Sequence, residues 1–223
     1  MDSARTDFAM ARRNMIEGQL RPNRVTDPAL LAAMAEVPRE RFLPPALQPL
    51  AYVDEDLRLG CGRALMEPMV FARLVQEARV RPGSRVLVVA AGAGYGAAVL
   101  ARMGARVVAL EAPGPAAEVL RASPAAKAPG VTTAIGPLAE GWAAEAPYDV
   151  VLIEGAVEEI PPALPNQLVD GGRLVTVRAS GKPGVPGRAV RLLRVAGTVT
   201  EVPLFDAGTI LLPEFRRAPA FVF

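Results

Sequence analysis

The 223-residue sequence contains no histidine and a single cysteine, Cys61. Without imidazole there is no Ser-His-Asp or Cys-His nucleophile, because each needs a histidine as its base. The same shortage leaves too few ligands for a structural zinc site, so no metal is expected. One cysteine forms no intrachain disulfide, which fits a reducing compartment. Aromatic residues make up 5% of the chain and its arginines are scattered, giving neither a stacking platform nor a basic stripe for nucleic acid. Apolar runs are short and broken by charge, so no segment reads as a membrane span. The N-terminal stretch MDSARTDFAMARRNMIEGQL mixes acids with arginines and lacks the apolar region of a secretory signal. A cytoplasmic protein, monomeric by default and without membrane or nucleic-acid partners, is the expectation.

What is present is globular: 51% hydrophobic and 22% charged residues with a net charge of +2, in a length suited to one domain with a sizeable core. Asp27-Pro28 is an N-cap followed by proline at the first helical position, and ALLAAMAEV then runs helically to a stop at Pro38. The following connection, through Pro68, is proline-rich, irregular and charged, and so long a connection inside a compact domain is usually a functional loop. MVFARLVQEARV reads as a further helix. From Ser84 the period changes: SRVLVVA is a buried strand, GYGAAVLARMG a helix closed by Gly104, and ARVVALE a second strand. VTTAIG and YDVVLIEG are strands, PPALPNQLVDGG is expected to be a helix, and RLVTVRAS is another strand. Val-, Leu- and Ile-rich strands alternating with helices imply a parallel sheet covered on both faces. RAVRLLRVAG and TVTEVPLFDAG, with no helix between them, are expected to add an antiparallel pair at the C-terminal edge. The expected architecture is α/β and doubly wound. Residues 84–223 form the ligand-binding core, and residues 1–83 a helical, substrate-loop extension packed on the same domain.

Small residues follow the first core strand: Ala90, Ala91, Gly92 and Gly94, with Tyr95 opening the helix. In an open parallel sheet such a turn lets a ligand approach the backbone, and the helix amides can hold it. Glu111, ending the next strand, is placed to accept hydrogen bonds from ribose hydroxyls, which points to an adenosine-containing cofactor. The segment Gly92–Ala97 also satisfies the dinucleotide pattern G-x-G-x-x-A, although more of the chain precedes it than dinucleotide domains usually have. A tight turn with no ligand is the plainest alternative.

VPRERFLP, AYVDEDLRLGCGRALMEP, RVLVVAAGAGYGAAVLA, VVALE, APYDVVLIEGAVEEIPPAL and QLVDGGRLV, in this order, resemble the protein-L-isoaspartate O-methyltransferase family over nearly the whole chain. The resemblance implies a Rossmann-like class I methyltransferase fold with S-adenosyl-L-methionine as cofactor. It also implies methyl transfer to isoaspartyl carboxylates in damaged peptides or proteins, with a loop ahead of the glycine turn meeting the acceptor. The family's catalytic-loop pattern Gly-Gln-Thr-Ile-Ser-Gln-Pro corresponds to GRALMEP here. Met66 thus takes the place of a hydroxyl, Glu67 adds a charge that would repel a carboxylate, and Arg63 could oppose that effect. Arg63 and Glu67, four residues apart, could equally form a local ion pair, and Met66 could fill a core patch with Leu65. Val88 stands where the family has an acid, and Gly136-Pro137-Leu138 where it has Gly-Asp-Gly at the adenine. Two lost charged anchors would weaken cofactor binding by roughly two to three decades. Cys61 is expected to be inert, Trp142 and Tyr95 to pack, and Asp54, Glu55 and Asp56 to form a solvated loop. Three functions are weighed: an isoaspartyl methyltransferase, a methyltransferase with another acceptor, and a non-catalytic relative binding a nucleotide-like ligand or a protein partner. The resemblance makes an S-adenosylmethionine-dependent O-methyltransferase with weakened or altered acceptor chemistry the expectation.

Overall fold

The computed structural model describes residues 7–182 and 185–217. Helix α1 (Phe8–Met15) begins where the Asp7 carboxylate accepts the Met10 amide at 3.0 Å, and continues into a wide turn over Ile16–Leu20. Helix α2 (Pro28–Glu36) starts at Asp27, whose side chain accepts the Ala29 and Leu30 amides at 2.9 and 3.1 Å. Such a cap contributes about 1 kcal/mol. The proline-rich connection forms two 3-10 turns, Arg39–Phe42 and Pro45–Leu50, and then a small hairpin of β1 (Leu57–Arg58) and β2 (Ala64–Leu65).

Helix α3 (Pro68–Ala78) leads to β3 (Arg85–Val89), α4 (Tyr95–Arg102), β4 (Arg106–Glu111), α5 (Pro115–Ala122) and β5 (Val131–Ile135). The chain continues through β6 (Tyr148–Val157), α6 (Ala163–Asn166), β7 (Leu168–Arg178), β8 (Gly187–Val195) and β9 (Thr198–Ala207). Among the described residues seven strands lie in the order β5-β4-β3-β6-β7-β8-β9. The pairs among β3 to β7 are parallel, and β8 and β9 add the antiparallel edge. The strand order reverses at β3, which has β4 on one side and β6 on the other, so a crevice opens at its carboxyl end.

Alternation along β3 supplies both cores. Val86 and Val88 belong to one buried cluster with Met34, Phe71, Leu74 and Leu100, so the N-terminal helices and α4 share an apolar core with the sheet. Leu87 and Val89 face the other cluster, with Val151, Leu164, Leu212 and Phe215. Each such side chain contributes about 1.5–3 kcal/mol of burial. Among the described residues no helix is long and apolar enough to cross a membrane.

Two expectations need correction. The helix expected over residues 161–172 is a single turn, α6, and β7 already starts at Leu168. Gly171 sits at φ +79°, a left-handed conformation that breaks a helix, and a Cβ on Gly172 would meet the Val169 carbonyl at 2.9 Å. The acidic stretch 54–56 is not merely solvated. The Asp56 carboxylate accepts from the Glu67 amide at 2.7 Å, the Thr209 hydroxyl at 2.6 Å and the Ile210 amide at 3.1 Å, tying the hairpin loop to the C-terminal segment. Between Glu111 and Val131, where no element is expected from sequence, α5 forms after Gly114-Pro115 and buries Ala116, Ala117 and Leu120.

Candidate cofactor and acceptor site

Beyond Val89 the chain turns through Ala90 at φ +58°, Gly92 at +54° and Gly94 at +77°, then enters α4 at Tyr95. Glycine accepts these angles without strain, whereas Ala90 holds its own at a cost of about 1–2 kcal/mol. The Ala91 amide donates to the Leu110 carbonyl at 3.2 Å and Gly94 to the Ala91 carbonyl at 2.7 Å, which fixes the turn against β4.

Glu111 ends β4 directly beside this turn and is fully buried. Its Oε2 accepts the Gly92 amide at 2.9 Å, and its Oε1 accepts the Ala112 amide at 2.7 Å. Arg63 supplies the remaining donors: Nη2 reaches Oε1 at 2.7 Å, and Nε reaches the two oxygens at 3.1 and 3.2 Å. The same guanidinium holds a second carboxylate, Glu214, through Nη2 at 2.7 Å and Nη1 at 3.3 Å. Arg63 is 3% exposed and Glu214 32%. Burial alone would lower the Arg63 pKa, but the hydrogen bonds to Glu111 and Glu214 outweigh it and hold the group above its ordinary value. The arginine stem lies over the turn, since a Cβ on Gly92 would stand 3.5 Å from the Arg63 Cβ.

The local Arg63–Glu67 ion pair considered from sequence is therefore absent; Arg63 turns to Glu111 and Glu214 instead. Glu67 is half-buried, and burial, with Asp54, Asp56 and Glu55 adding, pushes its carboxyl up to about 7. Below that pH the group is largely neutral, and the repulsion expected toward a carboxylate acceptor is relaxed. Met66 is 3% exposed and packs in the main core. Its carbonyl accepts from Arg39 Nη2, while Arg39 Nε donates to the Ala51 carbonyl at 2.7 Å, so one buried arginine holds the segment after the hairpin by its backbone.

Tyr95 is buried between Phe42 and Phe71, with ring centroids 5.5 and 5.6 Å away, beneath the Arg39 guanidinium at 5.1 Å. Gly136 donates its amide to the Glu111 carbonyl at 3.0 Å, and Trp142 packs against it. Pro137 offers no amide, and Leu138 turns into the second core. Beside the turn opens a cleft of about 290 Å3, lined in part by Phe42, Leu43, Leu59, Ala93, Val119 and Ser123.

Sequence reasoning misses two acids here. Glu214 lies 151 residues along the chain from Arg63, and no spacing announces their pairing. Glu154 is buried on β6, and its signal was a lone acid at the end of the apolar run VVLIEG.

A family model described as Protein-L-isoaspartate(D-aspartate) O-methyltransferase (PCMT) matches residues 10–181. The protein-L-isoaspartate O-methyltransferase of Methylorubrum populi is 44% identical over 179 residues, covering 80% of this chain and 82% of the relative. That of Gloeobacter violaceus is 38% identical over 206 residues, covering 92% and 98%. A solved structure named protein-L-isoaspartate O-methyltransferase superposes with a TM-score of 0.77 at 23% identity, covering 90% of this chain and 65% of that one. A Plasmodium falciparum structure solved with S-adenosyl-L-homocysteine gives a TM-score of 0.75 at 18% identity, covering 91% and 98%. At those identities the two structures establish a shared fold.

Proposed function

Because the chain belongs to the protein-L-isoaspartate(D-aspartate) O-methyltransferase family, we propose that it transfers a methyl group from S-adenosylmethionine to isoaspartyl carboxylates in peptides or proteins. The observation that carries this reading is the turn at the carboxyl end of the central strand, with a buried acid ending the adjacent strand, both inside the matched residues 10–181.

The residues present fit the adenosine end of this cofactor. Gly92 and Gly94 leave the backbone of the turn free of side chains, and Glu111 presents two carboxylate oxygens to a pair of ribose hydroxyls once Arg63 has moved. The guanidinium can leave Glu111 without becoming unpaired, because it keeps Glu214. Ala90, Ala91 and Tyr95 shape the turn, and Gly136, Pro137 and Leu138 would border the adenine.

When bound, the cofactor supplies a methyl group on an already activated sulfonium. The acceptor carboxylate is ionised at neutral pH, so no general base is required and the missing histidine is no obstacle. What the chain must provide is alignment of the reacting atoms. The hairpin loop carrying Arg63, Met66 and Glu67 does this through its backbone, which Arg39 and Asp56 hold in place. Displaced from Glu111, Arg63 is the cation for the acceptor carboxylate, a contact that Met66 lacks the donor to make. A monomer working in the cytoplasm, where the free Cys61 stays reduced, completes the reading.

Calorimetric titration at neutral pH tests the cofactor assignment. S-adenosylhomocysteine is expected to bind and NADH to give no heat of binding. Preference for the dinucleotide, or no binding of S-adenosylhomocysteine, would overturn it.

A further inference from the structure

Glu154 sits near the carboxyl end of β6, on the opposite side of β3 from Glu111. Val86 pairs with Val150 and Val88 with Leu152, and all four side chains lie in the core beneath α3 and α4. Alternation along a strand puts Glu154 on that face as well. Glu111 shares it, since Val107 and Ala109 of its own strand lie in the same core. β3 stops at Val89 and turns away. The two carboxyl groups thus stand on one face, at the ends of strands roughly 10 Å apart, with the glycine turn between them.

Glu154 is 7% exposed, and its Oε1 has no hydrogen-bond partner among the described residues. It lies against the first turn of α4, where a Cβ on Gly96 would fall 1.6 Å from that oxygen, so glycine at this position makes room for the carboxyl. The Arg39 Nη1 and the Tyr95 hydroxyl, which lie close to each other, are likewise buried, with no well-formed hydrogen bond among the described residues. Native proteins leave few such atoms open, because each forfeits the hydrogen bonds it makes in water. Three together, around the first turn of the helix that follows the glycine turn, match a zwitterion: an acid for an ammonium, and two donors for a carboxylate.

We propose that Glu154 holds the α-ammonium of the cofactor's amino-acid end, an assignment that rests on the S-adenosylmethionine reading above. With the ribose on Glu111 at the β4 side, the amino-acid end extends across the turn toward β6. Glu154 then supplies, one strand over and on the same face, the acid that Val88 does not. The ligand-free carboxyl is pushed up to about 8 by burial, with Arg39 opposing the shift and Glu111 adding to it. A cation bound against it favours the ionised form, so a proton leaves as the ligand enters.

The test compares S-adenosylhomocysteine with 5′-methylthioadenosine, which keeps the adenosine and lacks the amino-acid end. Glu154→Gln preserves the shape of the side chain and removes its charge. In this variant S-adenosylhomocysteine should bind at least tenfold more weakly, while methylthioadenosine binds within about twofold of wild type. A second readout needs only the wild-type protein: at pH 7 the heat of S-adenosylhomocysteine binding should vary with the ionisation enthalpy of the buffer, reporting proton release. Equal weakening of both ligands would assign Glu154 a purely structural role and overturn the proposal. Unchanged S-adenosylhomocysteine affinity, or no proton release, would also overturn it. Failure of wild type to bind either nucleoside would overturn the cofactor reading and this assignment with it.

Discussion

Arg63→Ala is expected to lower the stability of the ligand-free protein by about 3–5 kcal/mol, the cost of breaking a buried ion pair by removing one partner. The substitution strands Glu111, which is fully buried and keeps only the Gly92 and Ala112 amides. The same substitution should tighten S-adenosylhomocysteine binding, by roughly tenfold. On the proposed placement of the ribose on Glu111, the wild type must first release the guanidinium, so its apparent affinity is reduced to the extent that Arg63 occupies Glu111. Without Arg63 no such release is needed. Urea unfolding with and without ligand, together with calorimetry, reads both quantities. A variant that is less stable and also binds more weakly would mean that Arg63 supports the cofactor site instead of competing for it.

Glu111→Ala should move binding the other way. Losing the acceptor of the ribose hydroxyls is expected to weaken S-adenosylhomocysteine by about 1.5–3 kcal/mol, or 10- to 150-fold. It also removes the main partner of a buried guanidinium and leaves Glu214, which is 32% exposed, and the Gly62 carbonyl to hold it. Both members of one ion pair therefore destabilise the fold when deleted, yet they carry opposite signs for ligand binding. No purely structural role predicts that combination. If Glu111→Ala binds as well as wild type, the ribose does not sit on this carboxylate.

The parts of the fold that depend on local pattern are legible from the sequence. SRVLVVA, the small-residue turn and ARVVALE read directly as strand, loop and strand, because burial on both faces demands continuous apolar runs there. The Asp27 cap and the Gly104 stop are visible for the same local reasons. QLVDGG misleads: its apolar residues suit either a helix end or a strand, and the pairing of Leu168 with Tyr148 decides for the strand.

The site is legible by position but not by occupancy. Glu111 can be placed beside the turn from sequence, whereas its neutralisation by Arg63 depends on a loop and a C-terminal residue that only the tertiary fold brings together. Met66 shows the same limit from the other side. Its place in the catalytic-loop pattern suggests contact with the acceptor, but the side chain turns into the core, and its carbonyl meets Arg39 instead. Glu154 is invisible as a site residue until β3 is seen to end between it and Glu111.

Transfer of labelled methyl from S-adenosylmethionine, at saturating cofactor, to two versions of one peptide tests the central claim most directly. One version contains an isoaspartyl residue and the other an ordinary aspartyl residue at the same position. The isoaspartyl peptide should become methylated, with label that is released by mild base as expected of a methyl ester, and the aspartyl peptide should remain unlabelled. Equal labelling of the two, or none in either while S-adenosylhomocysteine binds, would contradict the assignment of isoaspartyl carboxylates as the acceptor.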